Sequence, residues 1–319
     1  MKDLTTVDLM HQDLTGSLPE GLEPLLSKLH SRFGEALCGV VLYGSCRRMD
    51  DTSEGLVDLM AIVSSYRAVH GRGLSAVLNR LVPPNVYYLE ARSDASGSSA
   101  EHIIRCKYIV ITASQLQQRC STGLDAYFWA RFTQPCRMVW QRNPSELQAM
   151  TRCRVNAAER FARKAALLGP AELSGEAFWV RAIQASYGCE LRPEAPAAAA
   201  RLVAHDQQFW QQLTAAVAQD SMLIQLQHDQ RNQYRIRLTS TQRLSGTVEW
   251  ALRRVWGKTK NALRVLKAAG TFTNGLDYLV WKIERHSGIR VEPTERMRRH
   301  PRLAAWGLVF RLWREGAFR

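Results

Sequence analysis

The sequence predicts a mixed α/β protein of the α+β kind, with a strand-and-helix N-terminal region followed by a mainly helical one. Three observations predict it. Strand-like and helix-like apolar runs interleave up to about residue 112. Beyond that point apolar residues recur almost entirely at helical spacing. The chain is 319 residues long and 46% apolar, enough to bury a sizeable core. The expected organisation is an α/β domain over 1–112, a mainly helical domain over 113–285 that completes a cleft with it, and a basic amphipathic segment over 286–319.

Taken in order, Leu22, Leu25, Leu26, Leu29 and Phe33 recur at helical spacing and predict a helix over 19–35. An apolar run over 38–43 predicts a strand that ends in Tyr43-Gly44-Ser45. A polar loop over 47–55 follows, then a second apolar strand over 56–63 that carries one carboxylate, Asp58. Helical spacing covers 66–82 and stops at Pro83-Pro84. Strands are expected at 86–89 and 103–111, separated by a Ser/Gly turn over 94–99; the second carries Lys107. Helices are then expected over 116–130, 145–168, 177–188 and 195–217, the last opening on the Ala-rich stretch over 195–200. Residues 225–237 alternate weakly and suit a strand or a loop. Helical spacing resumes over 247–267 and 276–285.

A net charge of +14 points to an anionic partner: nucleic acid, an anionic membrane surface or a phosphorylated substrate. The seven cysteines, at 38, 46, 106, 120, 136, 153 and 189, have no C-x-x-C spacing and read as reduced thiols rather than a zinc site or disulfides. The first twenty residues carry acids and no signal-peptide core, and no apolar stretch is long enough to span a bilayer. A cytoplasmic location is therefore expected.

Residues 40–63 hold the chemistry. A Gly-Ser turn after a strand lets backbone amides approach a triphosphate, and a carboxylate across the cleft can hold Mg²⁺. Gly44 and Ser45 are the candidates for the phosphates and Asp58 for the ion. A second acid at i+2 would share the face of Asp58, but that position is Met60. Asp50, Asp51 and Glu54 read as a solvated loop. Lys107 suits a phosphate's charge, and Tyr87 or Tyr88 could stack on a base. Residues 186–192, Ser-Tyr-Gly-Cys-Glu-Leu-Arg, end a helix and then supply an acid, Glu190, and a phosphate-matching guanidinium, Arg192.

Together these stretches resemble the mitochondrial-type CDP-diacylglycerol synthases, the phosphatidate cytidylyltransferases of the translocator assembly and maintenance family. The match runs through Tyr43-Gly44-Ser45 with Asp58-Leu59, Val69-His70 with the Tyr87-Tyr88 region, Lys107-Tyr108-Ile109-Val110, residues 124–139 around Arg131, and residues 186–192. Lys258 to Lys282 is similar to that family's closing helices. The family, too, has an apolar residue at the position of Met60. Cys46 stands where it has a second glycine, and Ser64-Ser65 where it often has two aspartates.

The resemblance implies a nucleotidyltransferase fold and Mg²⁺-dependent transfer of CMP from CTP to phosphatidic acid, giving CDP-diacylglycerol and pyrophosphate. It places Tyr43, Gly44, Ser45 and Arg131 on the nucleotide, Asp58 and Glu190 on the metal, and Asp58, Lys107 and Arg192 in catalysis. A lipid acceptor requires contact with the inner face of the cell membrane. The segment over 294–319 offers it, with Trp306, Phe310 and Trp313 at helical spacing among Arg311 and Arg314. A nucleic-acid-directed nucleotidyltransferase or an RNA-binding module is the competing expectation, and an inactive homologue with a binding role the third. No RNA-binding signature accompanies the charge, which ranks nucleic acid behind lipid.

Overall fold

The computed structural model describes residues 4–44, 47, 56–71, 74–93, 102–190, 197–219, 224–226, 233–271 and 295. At its centre is a mixed sheet of β1 (Leu37–Tyr43), β2 (Leu56–Val63), β3 (Asn85–Ser93), β4 (His102–Thr112) and β5 (Arg137–Gln141). The strand order is β3-β4-β2-β1-β5. β2 and β4 run parallel, and the other neighbours are antiparallel. Every residue of β1 is buried, as expected of a strand covered on both faces.

Alternation along the strands sorts the apolar residues into two layers. Leu59, Ala61, Tyr108 and Val110 share a cluster with Leu25, Leu29 and Phe33 of α2 (Glu23–Phe33) and with Tyr66 of α3 (Tyr66–His70). Met60, Ile62, Ile109 and Ile111 join Phe128 and Phe132 of α6 (Ala126–Thr133) and Phe161 of α7 (Pro144–Ala166) on the other face. By parity Asp58 lies on the face of Met60, toward the helical layer.

The architecture is the α+β arrangement expected, an N-terminal sheet followed by helices. Several long helices break, however. The stretch 66–82 divides into α3 and α4 (Leu74–Leu81), with Gly71 at φ +67° between them. The stretch 116–130 becomes α5 (Ala113–Ser121) and α6, because the Asp125 side chain accepts from the Tyr127 N–H and starts a new helix. Residues 195–217 form α9 (Ala197–His205) and α10 (Gln207–Gln219). The expected helix over 177–188 is α8 (Gly175–Tyr187), capped by Ser174. Residues 225–237 supply β7 (Ile224–Leu226) and β8 (Gln233–Ile236), which form a small antiparallel sheet with β6 (Glu172–Ser174). The spacing over 247–267 belongs to α11 (Ser240–Thr271).

The sequence pattern missed α1 (Thr6–Leu14), which begins in a Thr5–Asp8 capping box. Arg154 of α7 docks it. Its fully buried guanidinium donates to Met10 O at 3.1 Å, Phe132 O at 3.1 Å and Gln134 O at 3.0 Å, and lies 2.8 Å from the Asp13 carboxylate. A buried charge held by that many partners is compensated.

Among the described residues no helix is long and apolar enough to cross a membrane. Among the described residues six cysteines are buried with free thiols. The turn over 94–99, the helix over 276–285 and, Glu295 apart, the basic segment over 286–319 lie outside the described residues.

Candidate functional site

Sheet register builds the site. Tyr43 of β1 pairs with Asp58 of β2, Asp58 with Lys107 of β4, and Lys107 with Tyr88 of β3. The four side chains therefore form one row across the sheet, on the face turned to the helical layer. Lys107 Nζ lies 3.1 Å from Asp58 Oδ1, and the two side chains are 29% and 21% exposed. The Oδ1 atom is itself buried and accepts no hydrogen bond. The lysine's charge and the solvent that still reaches this partly exposed pair together compensate an acid set in an apolar strand.

β1 delivers Gly44 directly beside this acid. Gly44 has φ +82°, and a Cβ added to it would stand 2.6 Å from Asp58 Oδ2. Both the backbone conformation and the closeness of the carboxylate require glycine.

A third charge arrives from the helical layer. The half-buried Arg131 of α6 sits 5.7 Å from the Tyr43 ring centroid and 5.5 Å from that of Tyr127. Burial alone would lower its pKa, but Tyr127, Glu190, Tyr43 and Asp58 outweigh burial and raise it. Arg131 thus remains a cation that senses both acids. Glu190, half-buried, follows α8, where its N–H donates to Tyr187 O at 2.9 Å. Burial is also the main cause that pushes the neighbouring Cys189 thiol up to about 11.

α11 buttresses this corner. Gly257 packs so closely on the Cys189 carbonyl that no side chain would fit there. Arg264 pairs with Asp125 at the start of α6 and donates to Pro83 O at 2.9 Å.

Of the residues expected from sequence, Tyr43, Gly44, Asp58 and Lys107 come together in the row, and Arg131 with Glu190 borders it. Ser45, Cys46, Arg192 and the acids Asp50, Asp51 and Glu54 lie outside the described residues, as do Trp306, Phe310, Arg311, Trp313 and Arg314. Tyr87 does not fit the base-stacking expectation. It lies on the far face of the sheet, where its hydroxyl accepts from Asn85 Nδ2 at 2.7 Å and its ring stacks on Tyr108 and His70. Tyr88 stands in the row, its hydroxyl donating to Glu90 at 2.5 Å. Of Ser64-Ser65, Ser65 caps α3 by accepting from the Ala68 N–H at 3.1 Å.

Two members escaped sequence reasoning. Arg47, just past the glycine turn, places one guanidinium nitrogen 2.6 Å from each carboxylate oxygen of Asp206, at the junction of α9 and α10. That pair is largely buried and ties the turn to the helical layer. Its partners are 159 positions apart, so no local pattern signals it. Tyr127 lies inside the matched stretch 124–139, where Arg131 alone is singled out.

Among the described residues no group of three His, Cys, Asp or Glu is positioned to hold a metal. The donor set matches a different mode, in which one or two protein carboxylates share Mg²⁺ with substrate phosphates and water. Asp58 offers a carboxylate whose Oδ1 faces Lys107 and whose Oδ2 faces Gly44, and Glu190 acts on the same Arg131. These residues fit Mg²⁺ brought with a nucleotide. Compared with models of known protein families and with curated proteins, the chain matches none.

Proposed function

We propose that the row of side chains on the sheet face turned to α6 serves the transfer of CMP from CTP to phosphatidic acid, releasing pyrophosphate and forming CDP-diacylglycerol. The observation that carries this reading is the Asp58–Lys107 pair beside a turn whose Gly44 stands at positive φ against the carboxylate. It is a place where backbone can approach phosphate, with an acid and a cation already aligned. The cytidine and lipid specificity is taken from the sequence resemblance, whose matched stretches include every member of this row.

In this reaction a phosphate oxygen of the acceptor attacks the α-phosphorus of CTP while the bond to the β-phosphate oxygen breaks. The acceptor is already ionised, so no strong base is needed, and alignment and charge neutralisation dominate. Lys107 and Arg131 supply positive charge to the phosphates. Gly44 leaves room for the Asp58 carboxylate against the turn. Asp58 and Glu190 would hold Mg²⁺, which supplies charge neutralisation when bound. The Arg47–Asp206 pair fixes the far end of the turn. With a membrane lipid as acceptor the protein would work at the inner membrane surface as a peripheral protein, and among the described residues no helix is long and apolar enough to cross a membrane.

Incubation with Mg²⁺ and radiolabelled CTP, offering phosphatidate vesicles in one arm and RNA in another, tests the reading. It expects label in a chloroform-soluble CDP-lipid. Label in RNA would support a nucleic-acid-directed transferase, and label in neither product a binding role.

A further inference from the structure

α11 leaves an apolar stripe uncovered. Leu244, Val248, Leu252, Val255, Trp256 and Leu263 recur in helical steps and are 46–69% exposed. The stripe is roughly 28 Å long at 1.5 Å per residue. The opposite side of the helix is the one that packs. Trp250 and Arg253 are buried, and Trp250 Nε1 donates to Lys164 O at 2.9 Å.

The charge on this helix is one-sided. Its sequence holds seven Lys or Arg and a single acid, Glu249. That acid is engaged by Lys164 at 2.6 Å and Arg253 at 2.5 Å. Arg254 and Lys258 are exposed along one border of the stripe. At the other border Lys260 Nζ stands 5.3 Å from the Trp256 ring centroid.

Leucine and valine between two cationic borders, with an indole at the edge, match a bilayer interface. Acyl chains take the stripe, headgroup phosphates take the cations, and the indole sits between. RNA would satisfy the cations and leave the stripe in water. We infer that this face of α11 docks on an anionic lipid surface. The inference deepens the lipid-acceptor reading and rests on it for its purpose, but the binding itself needs no reaction. Gly257 of α11 seats against Cys189, next to Glu190, and Arg264 holds the start of the helix that carries Arg131. A docked α11 therefore keeps the cleft at the bilayer.

The full chain is tested by flotation with phosphatidylcholine vesicles that contain or lack phosphatidylglycerol. This anionic lipid is not the proposed acceptor, so failure of binding and failure of transfer are read separately. Wild type floats only with the anionic vesicles. Leu252→Glu with Trp256→Glu lowers the apparent affinity about tenfold or more. The double variant keeps its melting temperature and its activity on phosphatidate in detergent micelles, because both positions are exposed. Asp58→Asn floats like wild type. Wild-type failure to float, or undiminished flotation of the double variant, overturns the inference. So does a double variant with unchanged flotation that loses RNA binding, or whose oligomeric state changes in light scattering, since the stripe then serves RNA or a protein surface.

Discussion

The position a Cβ would take on Gly44 lies 2.6 Å from Oδ2 of Asp58, so the turn and the acid come this close only because residue 44 has no side chain. The same residue has φ +82°, where an L-residue is disfavoured by about 1–2 kcal/mol. Gly44→Ala is expected to lower unfolding stability by that amount in urea titration. By pushing the carboxylate aside it lowers CDP-lipid formation about 10²-fold. Unchanged activity in a folded Gly44→Ala protein would detach the turn from the site.

Lys107 separates a functional role from a structural one. The Asp58–Lys107 pair is partly exposed, and pairs of this kind contribute about 0–1 kcal/mol. Lys107→Met should therefore shift the urea midpoint little, while kcat falls about 10²–10³-fold through loss of charge on the phosphates. Lys107→Arg restores part of the rate. A Lys107→Met protein as active as wild type would reduce the pair to an ordinary strand contact.

Acid should loosen the contact between α7 and α11. Burial would raise the Glu249 pKa, but hydrogen bonds and charge from Arg253 and Lys164 outweigh it and hold it below the ordinary glutamate value. A depressed carboxylate contributes stability that is fully present above its unfolded pKa, about 4.3. That contribution is lost as pH falls through the lower folded value. Thermal melts between about pH 6 and pH 3 should show the loss, and Glu249→Gln should flatten that part of the profile. Parallel curves for the two proteins would remove Glu249 from the acid response.

The residues legible in the sequence were those that break a pattern. Asp58 and Lys107 stand out as charges in apolar strands, and Gly44 as a small residue where a strand ends. Sheet parity then does the rest, because a two-residue period assigns Asp58 and Lys107 to one face once their strands are neighbours. The same parity explains the failure at Tyr87, since its register partner is Tyr108 rather than Lys107. Helix breaks at Gly71, around Gly123 and at Asp206 were invisible because a short interruption leaves the apolar period nearly in phase. α1 is nine residues long and offers too few turns for a period to register. β5 is five residues long at the sheet edge, too short for its alternation to register. Arg47–Asp206 and the contacts of Arg154 are long-range pairings that only the fold brings together.

The central claim is that Asp58 serves phosphate transfer rather than the sheet. It is tested most directly by Asp58→Asn in the labelled-CTP assay with phosphatidate vesicles and Mg²⁺. Asparagine preserves size and removes the charge, so the account predicts a folded protein with wild-type vesicle binding and CDP-lipid formation reduced about 10³-fold or more. A folded Asp58→Asn protein that makes CDP-lipid at the wild-type rate would contradict it.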